Sequence, residues 1–200
     1  MRAGMTLLEL VVGLTVAGLV LAAGYGAFSS IVDHSERAAD ASDAEARAAA
    51  IREALVSWLA GARLTVEEAG PPFRGLDGVY EDRPDDQLTF LATGTTPLGV
   101  RHTIVRLYVD RDEETPERGL TADFVEWRGP ATARLEIEPR VVGLNFRYLT
   151  SIRPGTRWLP SWISSSVMPL GVEMTLTAAP GDTLAPLLAH PIVVAFESAR

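Results

Sequence analysis

The first constraint on this 200-residue chain is a run from Met5 to Val32 that contains one charged residue, Glu9. As a helix, Met5 to Phe28 would extend roughly 36 Å at 1.5 Å per residue, longer than the ~30 Å hydrocarbon core of a bilayer. The expectation is a membrane-spanning segment over 5–32. A carboxylate in such a run is a functional signal, because translocon scales place an ionised acid at the bilayer centre at about 2.5 to 3.5 kcal/mol. Glu9 lies near the start of the run, where that cost falls, and it still requires a cationic partner. The N-terminal amine of a packed neighbour would supply one.

A secretory signal peptide needs an apolar stretch of only about 7 to 15 residues before a small-x-small cleavage site. Ala22-Ala23-Gly24 has that form, yet the apolar run continues through it to Val32 and Glu9 interrupts the apolar region. Arg2 and the initiating amine favour a cytoplasmic N-terminus, which would leave Asp33 to Arg200 outside the cytoplasm.

The remaining residues are enough for one domain with its own core. Formal net charge is −8, and all 18 basic residues are arginine. Arg2 and Glu9 cancel, so the whole negative balance belongs to the part after the apolar run. An acidic chain without a basic stripe argues against nucleic acid as a partner. There is no cysteine, which removes thiol catalysis and thiolate metal sites. His34, His102 and His190 are far apart and form no metal-binding spacing, so they read as surface or strand residues. No G-x-S-x-G turn surrounds Ser164, Ser165 and Ser166, and no phosphate-cradling glycine loop occurs. Asp110, Asp112, Glu113 and Glu114 lack EF-hand spacing and read as a solvated acidic turn, as do Asp85 and Asp86. The chain is therefore expected to be no enzyme, with no metal and no cofactor.

Asp33 to Ala60 contains neither Pro nor Gly and places Ala44, Ala48, Ile51, Leu55 and Trp58 or Leu59 along one helical face. The expectation is one long helix, apolar over 5–32 and amphipathic over 33–60, with the Ile51, Leu55, Leu59 stripe laid on a sheet. After Gly61 the texture changes. Gly70-Pro71-Pro72 and Gly75 to Gly78 read as loop, and strands are expected at Gln87–Thr93, Thr103–Asp110, Ala122–Arg128, Ala133–Glu138, Val141–Thr150, Gly171–Thr177 and Ile192–Glu197. A helix followed by a run of strands predicts an α+β fold, with an antiparallel β-rich domain over 61–200.

Gly4-Met5-Thr6-Leu7-Leu8-Glu9 resembles the leader junction of type IV pilins and type II secretion pseudopilins. The family pattern is glycine, usually phenylalanine, threonine, two leucines and glutamate, and Met5 is the departure from it. The resemblance implies that 1–4 is a leader peptide, that prepilin peptidase cuts between Gly4 and Met5, and that the Met5 amine is methylated. It further implies that Glu9 pairs with such an amine during assembly.

The C-terminal third is similar to the J-type minor pseudopilins. Leu144-Asn145-Phe146-Arg147-Tyr148-Leu149 is followed by Trp158, Trp162 and then Met168-Pro169-Leu170-Gly171-Val172, with Met168 standing for leucine and Gly171 for alanine. Trp158 and Trp162 read as core or sheet-covering residues and as candidates for an interface. The resemblance implies a pilin-like fold and a minor pseudopilin in a tip complex with I-type and K-type subunits, supporting protein export by type II secretion. It implies a single-pass protein of the inner membrane, its C-terminal domain periplasmic and assembled into the pseudopilus. A minor pilin of a type IV pilus would share the same junction. A different class, an exported, anchored β-rich enzyme or binding protein, would be cut at a conventional signal.

Overall fold

The computed structural model describes residues 14–15, 38–64, 73–182 and 184–196. The chain divides into two compact units, Met1–Ala44 and Glu45–Arg200. In the first, residues 14–15 and 38–44 are helical.

The second unit opens with helix α1 (45–60), whose Ala48, Ile51, Leu55, Trp58 and Leu59 are buried. Their three- and four-residue spacing makes one apolar stripe, while Arg52 and Glu53 stay outside it. The Gly61 N–H donates to the Ser57 carbonyl at 3.2 Å as the helix ends. The strands that follow are β1 (Ala62–Arg63), β2 (Phe73–Leu76), β3 (Val79–Tyr80), β4 (Arg83–Pro84), β5 (Gln87–Ala92), β6 (Thr95–Thr96), β7 (Gly99–Val100) and β8 (Thr103–Asp110). After them come β9 (Gly119–Glu126), β10 (Thr132–Glu138), β11 (Val141–Ile152), β12 (Gly155–Leu159), β13 (Trp162–Ser164) and β14 (Gly171–Ala178). A short helix α2 (Ala185–Leu188) and strand β15 (Ile192–Ala195) complete the unit.

Two antiparallel sheets carry the core. The larger has the order β10-β9-β8-β5-β2-β13, with β1 also paired to β5. The smaller has the order β12-β11-β14-β15. Alternation decides which side is buried. In β8, Thr103, Val105 and Leu107 are fully buried, whereas Arg106 points outward. Phe90, Val105 and Phe124 are register partners across β5, β8 and β9, all with no exposed surface. Trp58 of α1 meets the Phe124 ring edge-on at 5.0 Å, which places the helix on this face. From the smaller sheet Tyr148 meets Phe73 at 6.2 Å, again edge-on. The seven-stranded sheet thus buries one face under α1 and the smaller sheet and leaves the other open.

The expected fold class needs correction. The described residues are mostly β, with 50% strand against 19% helix, and they do not form a long N-terminal helix laid on a sheet. Among the described residues no helix is long and apolar enough to cross a membrane. The physical reason is charge: the helical residues 38–60 carry Asp40, Asp43, Glu45, Arg47, Arg52 and Glu53 and so hold no stretch apolar enough to span a bilayer. The same finding overturns the transmembrane and pilin-like expectations and the expected single-pass inner-membrane localisation. Met5 to Val32, which carried that expectation, lies outside the described residues except for Leu14 and Thr15. A second correction concerns Gly75, expected in a loop and found in β2. Gly70-Pro71-Pro72 lies outside the described residues.

Candidate functional site

The stretch from β11 to β14 joins the two sheets, and the sequence-expected aromatics lie where the chain passes between them. Trp158 is on β12, the edge of the smaller sheet, opposite Leu149. The Arg147 guanidinium lies 5.3 Å from its ring centroid, a cation–π geometry, and also pairs with Glu173 at 3.1 Å. Trp162 is on β13, the edge of the larger sheet, opposite Gly75. Its indole Nε1–H donates to the Val167 carbonyl at 3.2 Å. The Ser164 hydroxyl oxygen accepts N–H bonds from Ser166 and Val167, at 3.2 and 2.9 Å, so it is spent on the turn. Both tryptophans are half-buried and are not among the buried core residues. Beside them Ile163 and Val167 are 65% and 57% exposed, large for apolar residues on a sheet edge.

Following Trp162, Met168, Pro169 and Leu170 line a groove of ≈ 940 Å³ together with Ala62, Leu64 and Phe196. The stretch that resembles the pseudopilin strand start thus forms one wall of the groove. The Leu170 N–H donates to the Leu149 carbonyl and the Phe196 N–H to the Leu170 carbonyl, at 2.7 and 2.9 Å, which ties this wall to β11 and β15.

Behind the aromatic edge lies a polar junction that sequence reading missed. Asp86, expected in a solvated turn, is 1% exposed. Its Oδ2 accepts the Phe146 N–H at 2.6 Å and its Oδ1 the Gly78 N–H at 3.0 Å, pinning the β3–β4 hairpin to β11. Burial pushes its carboxyl above the ordinary value of 3.8, partly offset by those two bonds. Asp85 pairs with Arg111, whose other nitrogen donates to the Val142 carbonyl at 2.8 Å. Tyr148 is fully buried, and its hydroxyl has no hydrogen-bond partner among the described residues. Burial drives this phenol well above its usual range, with Asp86 and Asp77 adding to the effect. No local sequence signal marks this junction, since Asp86 and Phe146 are distant in the chain.

Charge is organised elsewhere too. Glu138 is fully buried, bound by Arg140 Nε at 2.8 Å and by Arg47 of α1 at 3.2 Å. Asp123 accepts from Arg106 at 2.6 Å and Arg134 at 2.7 Å. Burial alone would raise the Asp123 carboxyl, but the two guanidinium bonds prevail and hold it below 3.8. Asp110 is also buried, at 6% exposure, and accepts the Asp112 N–H at 3.0 Å, which corrects the solvated reading for this residue; Asp112, Glu113 and Glu114 are exposed.

Gly4, Met5, Glu9 and His34 lie outside the described residues. His102 and His190 are exposed. Among the described residues no group of three or more His, Asp or Glu side chains could hold a metal ion. No protein-family model matches the chain, and no curated protein matches it.

Proposed function

We propose that this chain is a structural assembly subunit, a minor pseudopilin of type II secretion of the J type, acting in the pseudopilus tip with I-type and K-type subunits to support protein export. The observation that carries the reading is the Gly4-Met5-Thr6-Leu7-Leu8-Glu9 junction. Prepilin peptidase would cut between Gly4 and Met5 and methylate the new amine. Glu9 would then neutralise a Met5 amine in the apolar packing of the assembly, where an unpaired charge is strongly penalised.

Support from the folded part is of a different kind. The residues that resemble the J-type pattern, Leu144–Leu149, Trp158, Trp162 and Met168–Val172, are divided between the two sheets, and beside Trp162 the apolar side chains of Ile163 and Val167 are exposed. Aromatic and aliphatic residues so placed suit contact with another protein.

The test is Glu9→Leu in the full chain. It should be cut at Gly4 as before yet fail to co-purify with the other pseudopilins or to restore secretion in a strain lacking the protein. Normal assembly and secretion by this variant would remove the role given to Glu9.

A further inference from the structure

The open face of the seven-stranded sheet carries a row of side chains in cross-strand register. Ile163 of β13 stands opposite Arg74, Arg74 opposite Thr89, Thr89 opposite Arg106, Arg106 opposite Asp123, and Asp123 opposite Arg134. Alternation puts all six on the side away from the fully buried Phe90, Val105 and Phe124. Three guanidinium groups therefore lie on this face with Asp123 between two of them, and Arg134 also reaches the Asp110 carboxylate at 3.9 Å, in a chain whose net charge is −8. Arg106 and Arg134 both bind Asp123, while Arg74 is exposed and makes no hydrogen bond or ion pair among the described residues. Arg74 and Arg106, like Arg106 and Arg134, are two strand spacings apart, about 10 Å.

The rest of this face has the composition of a protein contact. Arg106 lies 4.5 Å from the Tyr108 ring centroid, and Ile163 and Val125 are 65% and 40% exposed. Arginine and tyrosine are enriched among the residues that carry binding energy between proteins. An intervening carboxylate and a strongly negative chain disfavour a polyphosphate backbone as the occupant.

The complementary surface is on the same molecule. Between β8 and β9, Asp112, Glu113 and Glu114 are exposed and make no ion pair among the described residues. Their turn is held rigid: the Arg118 guanidinium donates to the carbonyls of Asp112, Thr115 and Glu117, and the Asp112 carboxylate accepts the Glu114 N–H at 3.0 Å. Arg118 is thus spent on backbone oxygens, and the three carboxylates make no direct ion pair among the described residues.

We propose that the arginine row of one copy docks the Asp112–Glu114 turn of a second copy. Two different patches meet, so the contact is heterologous. This rests on the chain being an assembling subunit, and it adds a contact independent of Gly4, Met5 and Glu9.

The absence of native cysteine makes the test clean. Full-length Ile163→Cys and Glu113→Cys chains, each with its own tag, are co-expressed and mildly oxidised. A mixed-tag disulfide dimer should form at least fivefold more than the dimer from two Ile163→Cys chains. Arg74→Glu in the Ile163→Cys copy should reduce it at least tenfold, and Glu114→Arg in the other copy should restore it. Equal cross-linking in all pairs, no cross-link in any pair, insensitivity to Arg74→Glu, or failure of Glu114→Arg to restore would each overturn the proposal. Because Arg74 is exposed and makes no ion pair among the described residues, an unchanged thermal melt of the Arg74→Glu chain separates lost docking from lost folding. Processing at Gly4 is scored on the same material, so a chain that cross-links without being cut would contradict the pseudopilin reading alone.

Discussion

The hydroxyl of Tyr148 occupies the space in which residue 75 would carry a Cβ, so that Gly75 on the larger sheet is specified by a side chain of the smaller one. The contact is steric, and the hydroxyl gains no hydrogen bond among the described residues. Gly75→Ala forces the sheets apart and should destabilise by about 1–3 kcal/mol, the usual cost of overpacking. Tyr148→Phe removes the orphaned polar atom and should stabilise by about 1 kcal/mol. Urea midpoints of the two variants must therefore move in opposite directions.

Asp86 and Asp123 should give opposite pH signatures. The Asp86 carboxyl is held above 3.8, so the folded state binds its proton more tightly than the unfolded chain. Its contribution is fully present at pH below 3.8 and declines as pH rises from there through the folded pKa. Asp123 is held below 3.8, so its contribution is present above that value and is lost as pH falls through the lowered pKa. The stability gap between wild type and Asp86→Asn should narrow with rising pH, while that for Asp123→Asn should widen. Denaturation curves recorded from about pH 3 to 7 test this, and parallel behaviour of the two variants would contradict it.

The β3–β4 hairpin turns through Glu81 and Asp82, with φ of 47° and 60°. Two positive angles in a two-residue connection describe a type I′ turn, which favours glycine or asparagine. Asp82→Gly relieves the left-handed strain and should stabilise by about 0.5–1 kcal/mol, read as a raised urea midpoint. A lowered midpoint would mean that the Asp82 side chain contributes something its geometry does not show.

Glu138 depends on two arginines of unequal placement. Arg140 offers an Nε bond at 2.8 Å from the neighbouring turn, whereas Arg47 reaches from α1 at 3.2 Å and is 58% exposed. Arg140→Ala should cost more than Arg47→Ala. Removing both leaves a fully buried carboxylate without a cation, with a loss of about 3–5 kcal/mol that exceeds the sum of the single effects. A double-mutant cycle measures the excess, and simple additivity would count against the shared role.

Local pattern made several elements legible. The alternation of Thr103, Val105, Leu107 and Val109 matches the buried side of β8, and the Ile51, Leu55, Leu59 stripe is the buried side of α1. What local pattern could not show was long-range. Gly75 followed by Asp77 and Gly78 looks like a loop until Tyr148 is seen to require a missing side chain. Asp85 and Asp86 look like a solvated pair until Arg111 and the Phe146 N–H are brought against them. The passage from β12 on one sheet to β13 on the other separates Trp158 from Trp162, although in sequence they look like a single motif. The arginine row escaped for the same reason, because its six members, Ile163, Arg74, Thr89, Arg106, Asp123 and Arg134, come from six separate strands. The α+β expectation gave too much weight to a continuous helical pattern and too little to the many short strands after Gly61, which make up half of the described residues.

The central claim, that the Gly4-Met5-Thr6-Leu7-Leu8-Glu9 junction is a processed assembly signal, is tested most directly by the intact mass and N-terminal sequence of the protein recovered from cells. The pseudopilin reading predicts a chain beginning at Met5 with one methyl group on its amine. A chain that retains the Gly4–Met5 bond, or that begins after Ala22-Ala23-Gly24, would contradict it.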